Sequence, residues 1–338
     1  MGPGKKGSDE WKAGKAAAED EVAGRIRKGT KKDVDAWFAN FEPDAKFLGL
    51  RIRPSSQGEP PGVHREMAKV LAEAEKLLVK KGEDPAVAAK RLGVKDVAGL
   101  RVPKTPTGKS SGASMHCFGL AVDIDHDNNP FIGNVDKPTK KHPEEGPSIQ
   151  IIKHATLLLG GDARDPRQAP PSLGDHETTS EADKEARATR AEKQWELLNL
   201  DSVQVQHYLS MTSDEIDALV ARRLPALKAW QQLHTAEPAQ DGKPKKRKKK
   251  GSSPPAWVGH VTDPTWWRDQ HQRDIKQSRS GDFGFGADPA KLGFMTLRED
   301  VVKALVRAGL SWGGTYNTDK DLMHFDLRTG SIGGAPVV

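Results

Sequence analysis

The sequence predicts an α+β fold: a small antiparallel sheet that carries the candidate site, flanking helices, and a large, mostly helical insertion. Two short runs, Leu120 to Asp125 and His324 to Arg328, alternate apolar and polar residues with the period of two that a strand imposes. Two others, Val63 to Lys81 and Leu297 to Val306, space their apolar residues as one face of a helix does. The stretch between the strand runs is far longer than a sheet connection needs, and it has helical patterning of its own.

Residues 1–60 are charged, punctuated by Gly and Pro, and without core periodicity apart from a helix expected near Glu10 to Arg27, so they are read as an N-terminal arm. The first core part, 61–135, opens with a helix whose buried face is Val63, Met67, Val70, Leu71, Ala74, Leu77 and Leu78. In the strand that follows, Leu120, Val122 and Ile124 form the apolar side and Ala121, Asp123 and Asp125 the other, with Gly119 allowing a sharp turn before it. The insertion, 136–290, reads as an apolar helix over Ile149 to Leu159 capped by Ser148, a polar loop over 164–180, and a charged helix over Glu181 to Leu198. A further helix opens with the capping box Thr212-x-x-Glu215 and carries Ile216, Leu219, Val220 and Leu224 until Pro225 interrupts it. Trp257, Trp266 and Trp267 with Phe283 and Phe285 are expected to pack. The second core part, 291–338, begins with a capping box Thr296-x-x-Glu299, a helix ended by Gly309, the turn Trp312-Gly313-Gly314, and a last strand with His324 and Asp326 on one face.

Four side chains in the two core parts are of the types a hydrolytic zinc site needs. Such a site takes three protein ligands, commonly imidazole and carboxylate, leaves one position open, and keeps a carboxylate nearby as base. His116, Asp123 and His324 suit the ligands, and Asp321 the base, its i, i+3 spacing from His324 placing both beside one centre. His126, with Asp125 and Asp127, reads as a polar strand end and loop, and these carboxylates equally suit hydrogen-bonding partners that orient a ligand. Cys117 is read as a small packing residue.

The elements Ser114-x-His116-x6-Asp123, the run from His116 to Asp125, Trp312-Gly313-Gly314 and Asp321-x-x-His324-Phe325 resemble the VanY-like zinc peptidases. That group contains the D-alanyl-D-alanine carboxypeptidases and the L-alanyl-D-glutamate endopeptidases of bacteria and phages. The resemblance extends to Asn129-Pro130-Phe131. It implies zinc on His116, Asp123 and His324, Asp321 as general base, Arg101 and Ser114 against substrate or the developing oxyanion, and bacterial cell-wall (peptidoglycan) peptide as substrate. Asp rather than Glu at the base position favours the endopeptidase branch over carboxypeptidase. Two alternatives are a peptidase effector delivered into another cell and a zinc-bearing module that binds the wall without turnover. The second is disfavoured by Asp321, since a structural site has no use for a base.

Composition bounds the remainder. Only 35% of the 338 residues are hydrophobic and 30% are charged, with 33 glycines and 23 prolines, which points to substantial loop. A single cysteine excludes an intrachain disulfide. The tract Lys243 to Lys250 holds seven basic residues, without which the net charge of +6 becomes −1, so the basic character is local to a linker over 242–255. That tract and the arm are expected to engage an anionic polymer or a delivery apparatus. With no apolar run of membrane-spanning length and no apolar signal core after Met1, the chain is expected to be soluble and released by lysis or exported by an injection system.

Overall fold

The computed structural model describes residues 39–54, 61–100, 115–133, 146–167, 181–235, 256–279, 285–286, 288–316, 319–327, 331–332 and 335–336. The helix expected at Glu10 to Arg27 and the basic tract lie outside the described residues, as does the side chain of Cys117. Among the described residues no helix is long and apolar enough to cross a membrane. The chain divides into two compact units: 1–133 with 167–199 and 295–338, and 134–166 with 200–294.

The first unit is built on a four-stranded antiparallel sheet in the order β5 (Val97–Ala98), β6 (Ala121–Ile124), β10 (His324–Asp326) and β8 (Ser311–Trp312). A separate pair joins β7 (Phe131–Ile132) to β9 (Lys320–Asp321). Helix α1 (Arg65–Leu78) starts where His64 Nδ1 accepts from Glu66 N, and it buries Met67, Leu71, Ala74 and Leu78. It packs on α8 (Glu299–Arg307), whose buried face is Val301, Val302, Leu305 and Val306. Helix α2 (Pro85–Leu92) has Asp84 as N-cap, Pro85 in its first turn and Gly93 at φ 76 past its end.

Three expectations change in this unit. Residues 41–54 carry core side chains: Phe47, Leu48 and Ile52 are fully buried beside β1 (Phe41–Glu42), β2 (Lys46–Phe47) and β3 (Leu50–Arg51). Two-residue strands are too short to display a period, so the sequence concealed them. Strand β6 is buried on both faces rather than one, because the face bearing Asp123 is covered by the site itself. Helix α8 does not use the box at Thr296. It begins at Glu299 after Arg298, since Asn129 Oδ1 already accepts from the amides of Thr296 (2.9 Å) and Leu297 (3.0 Å).

The second unit is helical. Helix α3 (Pro147–Ala155) starts at Pro147 after Gly146 rather than on Ser148, and it runs on into a π turn, Thr156–Gly160, that ends at Gly161 with φ 102. Helix α4 (Glu181–Ser210) extends past the expected end at Leu198, its residues from Leu200 onward belonging to this unit. Helix α5 (Ser213–Thr235) keeps the predicted box, with Glu215 N donating to Thr212 Oγ1 (3.3 Å) and Thr212 N to Glu215 Oε2 (2.7 Å). It passes through Pro225, contrary to expectation. An internal proline costs a helix about 3 kcal/mol. Burying Leu227 and Trp230 on the face of Ile216, Leu219 and Val220 offsets that, at about 1.5–3 kcal/mol per large apolar side chain. In α6 (Pro264–Ser278) Trp267 packs as expected, its Nε1 donating to Val261 O at 2.8 Å, and Phe285 stacks on Phe294. Phe283 lies outside the described residues.

A buried carboxylate, Asp201 on α4, has Arg164 Nη1 3.3 Å away as its ion partner. Burial pushes its pKa up to about 7 against the pull of Arg164. The native state therefore holds a proton that the unfolded chain releases near pH 4, so Asp201 contributes stability in acid that is lost as pH rises towards 7. The stability of wild type relative to Asp201→Asn should accordingly decline between those pH values in denaturant melts. A pH-independent difference would show that the carboxyl titrates normally.

Candidate metal centre

Two ligand-type side chains arrive from one short stretch. His116 lies on a single 3-10 turn, Met115–Phe118, closed by Gly119 N to His116 O (3.1 Å) and Leu120 N to Met115 O (3.0 Å). Gly119 then takes φ 67, and a Cβ there would come within 2.8 Å of the His64 amide nitrogen, so no other residue makes this turn without displacement. The chain enters β6, where Asp123 stands directly opposite Ala98 on one side and His324 on the other. Strand register thus sets Asp123 against His324.

The three groups converge. His116 Nε2 is 3.0 Å from Asp123 Oδ1 and 3.0 Å from His324 Nδ1, and His324 Nδ1 is 3.2 Å from Asp123 Oδ1. Tetrahedral ligands at zinc bond lengths stand about 3.3 Å apart, so the triangle needs only slight expansion to hold the ion. The outward nitrogens fix which atoms face inward. His116 Nδ1 lies 2.6 Å from Gly99 O, a carbonyl that can only accept, and His324 Nε2 lies 3.1 Å from Asp326 Oδ2. Each ring can therefore donate an N–H outward, and once neutral its other nitrogen offers a lone pair to the centre. Tyr316 donates to the same Asp326 oxygen at 3.1 Å.

All three candidate ligands are buried. Burial disfavours the Asp123 carboxylate, but the imidazoles of His116 and then His324 outweigh it and hold its pKa well below the usual range. At His324 burial opposes protonation, while hydrogen bonds to Asp123 and Asp326 and the field of Asp321 outweigh it and raise its pKa to about 10. The pocket thus favours positive charge at its centre, which a divalent cation supplies.

Asp321 arrives by a different strand pair. In β9 it stands opposite Phe131 of β7, and the chain then steps across to the main sheet before His324. Leu322 N donates to Pro130 O (3.3 Å), Met323 O accepts from Ile124 N (2.9 Å), and Trp312 Nε1 donates to Leu322 O (2.8 Å), which pins the step. Gly313 permits the turn to lie against it, since a Cβ there would come within 2.8 Å of Asp321 Cβ. Asp321 is half-buried, with its Oδ1 withdrawn from solvent.

Arg101 and Ser114 lie outside the described residues. Asp125 takes φ 48 and accepts from the amides of Lys95 and Asp96, both at 2.8 Å. His126 is half-exposed against Asp127 (3.0 Å) and Arg53 (3.3 Å). Neither carboxylate beside His126 orients a ligand. Asp326 does, and its place on the His324 face was visible in the strand alternation. Arg53 forks onto Asp96 at 2.5 Å through both Nε and Nη2, within the field of Asp123, but it sits in the segment read as arm. Asn129, fully buried, ties the end of β6 to the approach of α8.

Residues 254–327 match the family described as D-alanyl-D-alanine carboxypeptidase, which supports the VanY-like zinc peptidase resemblance. The matched span contains Trp312-Gly313-Gly314, Asp321 and His324, and it leaves out His116 and Asp123. No curated protein and no solved structure matches the chain.

Purified protein should hold about one zinc per chain, and His116→Ala, Asp123→Ala and His324→Ala should each release it by elemental analysis. Asp326→Ala should weaken zinc by about 10–100-fold in chelator competition without abolishing it. Unchanged metal content in all three ligand variants would overturn the centre.

Proposed function

We propose that this protein is a zinc-dependent peptidase that hydrolyses peptide bonds in bacterial cell-wall peptides, acting as an endopeptidase in preference to a D,D-carboxypeptidase. The family match supports a peptidase. The convergence of His116, Asp123 and His324, with Asp321 near enough to act electrostatically on His324, is the observation that carries the reading to a metal-dependent hydrolase. The endopeptidase preference rests on the Asp321-x-x-His324-Phe325 form.

When bound, zinc supplies Lewis-acid polarisation of the scissile carbonyl and acidifies water. His116, Asp123 and His324 would hold it through Nε2, a carboxylate oxygen and Nδ1, with Gly99 O and Asp326 placed to accept the outward N–H of each ring. Asp321 accepts the proton lost by the attacking water and passes it to the amine nitrogen as the carbon–nitrogen bond breaks. Its backbone is fixed by the pairing with Phe131 and by the close approach of Gly313. Arg101 and Ser114 are assigned to substrate or oxyanion by the resemblance. The tract Lys243 to Lys250 is assigned to engagement of anionic wall polymer, acting through charge alone.

Digestion of purified peptidoglycan followed by mass analysis of the fragments should reveal internal peptide cleavage, whereas release of terminal D-alanine alone would move the reading to carboxypeptidase. Asp321→Asn should retain zinc and fold while losing about 10²–10⁴-fold in turnover. Wild-type turnover in that variant would remove Asp321 from the mechanism. Deleting the basic tract should slow attack on intact wall at low salt, and the deficit should shrink as the Debye length falls to about 8 Å at 0.15 M.

A further inference from the structure

The carboxylate oxygen behind His324 is itself held by a side chain from the Trp-Gly-Gly turn. Strand β8 pairs with β10 so that Ser311 stands opposite Asp326 and Trp312 opposite Phe325. A 3-10 turn over Gly313–Thr315 then folds the chain back, closed by Tyr316 N to Gly313 O at 3.2 Å and by Thr315 Oγ1 to Trp312 O at 2.7 Å. It lies tight against the Trp312 indole, into which a Cβ at Gly314 would run. Tyr316 therefore returns to the residue opposite Ser311, and its hydroxyl donates to Asp326 Oδ2 at 3.1 Å. The same oxygen is 3.1 Å from His324 Nε2, and the rings of Tyr316 and His324 stand 6.4 Å apart between centroids. The backbone of Tyr316 is secured in turn: Lys320, with no exposed surface, directs its ammonium to the Tyr316 carbonyl. A lysine is almost never so deeply buried without a partner, and this one is used on the turn beside the site.

We propose that Tyr316 is a positioning residue for the metal centre, acting on His324 through Asp326, and that Lys320 fixes Tyr316 for that task. This rests on the reading of His116, Asp123 and His324 as ligands. A carboxylate that meets an imidazole through one oxygen can turn about its own side-chain bonds, and the ring turns with it. A second donor on that same oxygen restricts the turning, because Oδ2 then has to satisfy both partners at once. His324 Nδ1 is thereby kept aimed at the point where it stands 3.0 Å from His116 Nε2 and 3.2 Å from Asp123 Oδ1. The ring is set from behind, before a metal arrives.

Zinc affinity by chelator competition and the visible spectrum of the cobalt(II)-loaded full chain test this. Tyr316→Phe removes one oxygen and keeps the ring, so the chain should fold. It should weaken zinc by about tenfold, the lower end for an outer partner of a metal-bound histidine, and shift the cobalt bands. In an Asp326→Ala background the same change should cost nothing further, since the path from Tyr316 to the ring is already cut. Lys320→Met should weaken zinc in the wild-type background and have no effect in Tyr316→Phe. Full affinity with unshifted bands in Tyr316→Phe overturns the inference and leaves the metal centre standing. A loss that adds to that of Asp326→Ala overturns it as well, because the hydroxyl would then act by packing alone. Additive effects of Lys320→Met and Tyr316→Phe overturn the part given to Lys320. A wild-type chain that takes up neither zinc nor cobalt overturns the metal reading, and the inference falls with it.

Discussion

A carboxylate removed from water must be paired, and that requirement at Asp123 organises the first unit. Its strand is buried on both faces, so its charge is compensated at contact distance by His116 and His324, or by a cation they share. The compensation depends on strand register. Shifting β10 by one residue against β6 would place Met323 or Phe325 opposite Asp123 and turn His324 to the other face. The sheet is held against such a shift by β5 and β8 on its two sides, by Trp312 Nε1 on Leu322 O, and by Asn129 binding the approach of α8.

The second unit meets a similar requirement differently. Asp274 is fully buried and receives His154 Nδ1 at 2.8 Å, Tyr208 Oη at 2.9 Å and, on its other oxygen, Gln270 Nε2 at 2.7 Å. Three donors from three helices satisfy it without any open coordination position, and Trp257, Trp266 and Trp267 present their rings around His154. The contrast distinguishes a closed packing network from a candidate metal centre. In the first unit two inward ring nitrogens and a carboxylate oxygen converge on one point, whereas in the second three side chains are aimed at the Asp274 carboxylate.

The convergence of His116, Asp123 and His324 was legible in the sequence because its clues are local: residue type, spacing and the glycines that permit each turn are all written within a few positions. The helices α1 and α5 were legible for the same reason, through periodicity and a capping box. What escaped was decided at long range. Thr296 has the residues of a helix cap, but Asn129, far away in sequence, had already taken the amides concerned. Pro225 is an interruption by local rules and is overridden by the apolar face that continues beyond it. Arg53 and the buried Phe47, Leu48 and Ile52 were assigned to an arm because strands of two residues leave no pattern. Asp326 was seen on the right face, but only the structure gives it His324 and Tyr316 as partners.

The pairing of Asp123 with His324 spans 201 positions of chain. During synthesis the strand bearing Asp123 emerges with β5 already made on one side but without β10 and the second imidazole, while the helices of the other unit are local enough to form first. Closing so long a loop is entropically slow, and the contact rewards it only when β10 arrives. The candidate metal site is therefore incomplete for most of elongation and comes together only when β10 docks. The timing of site assembly is thus written into topology.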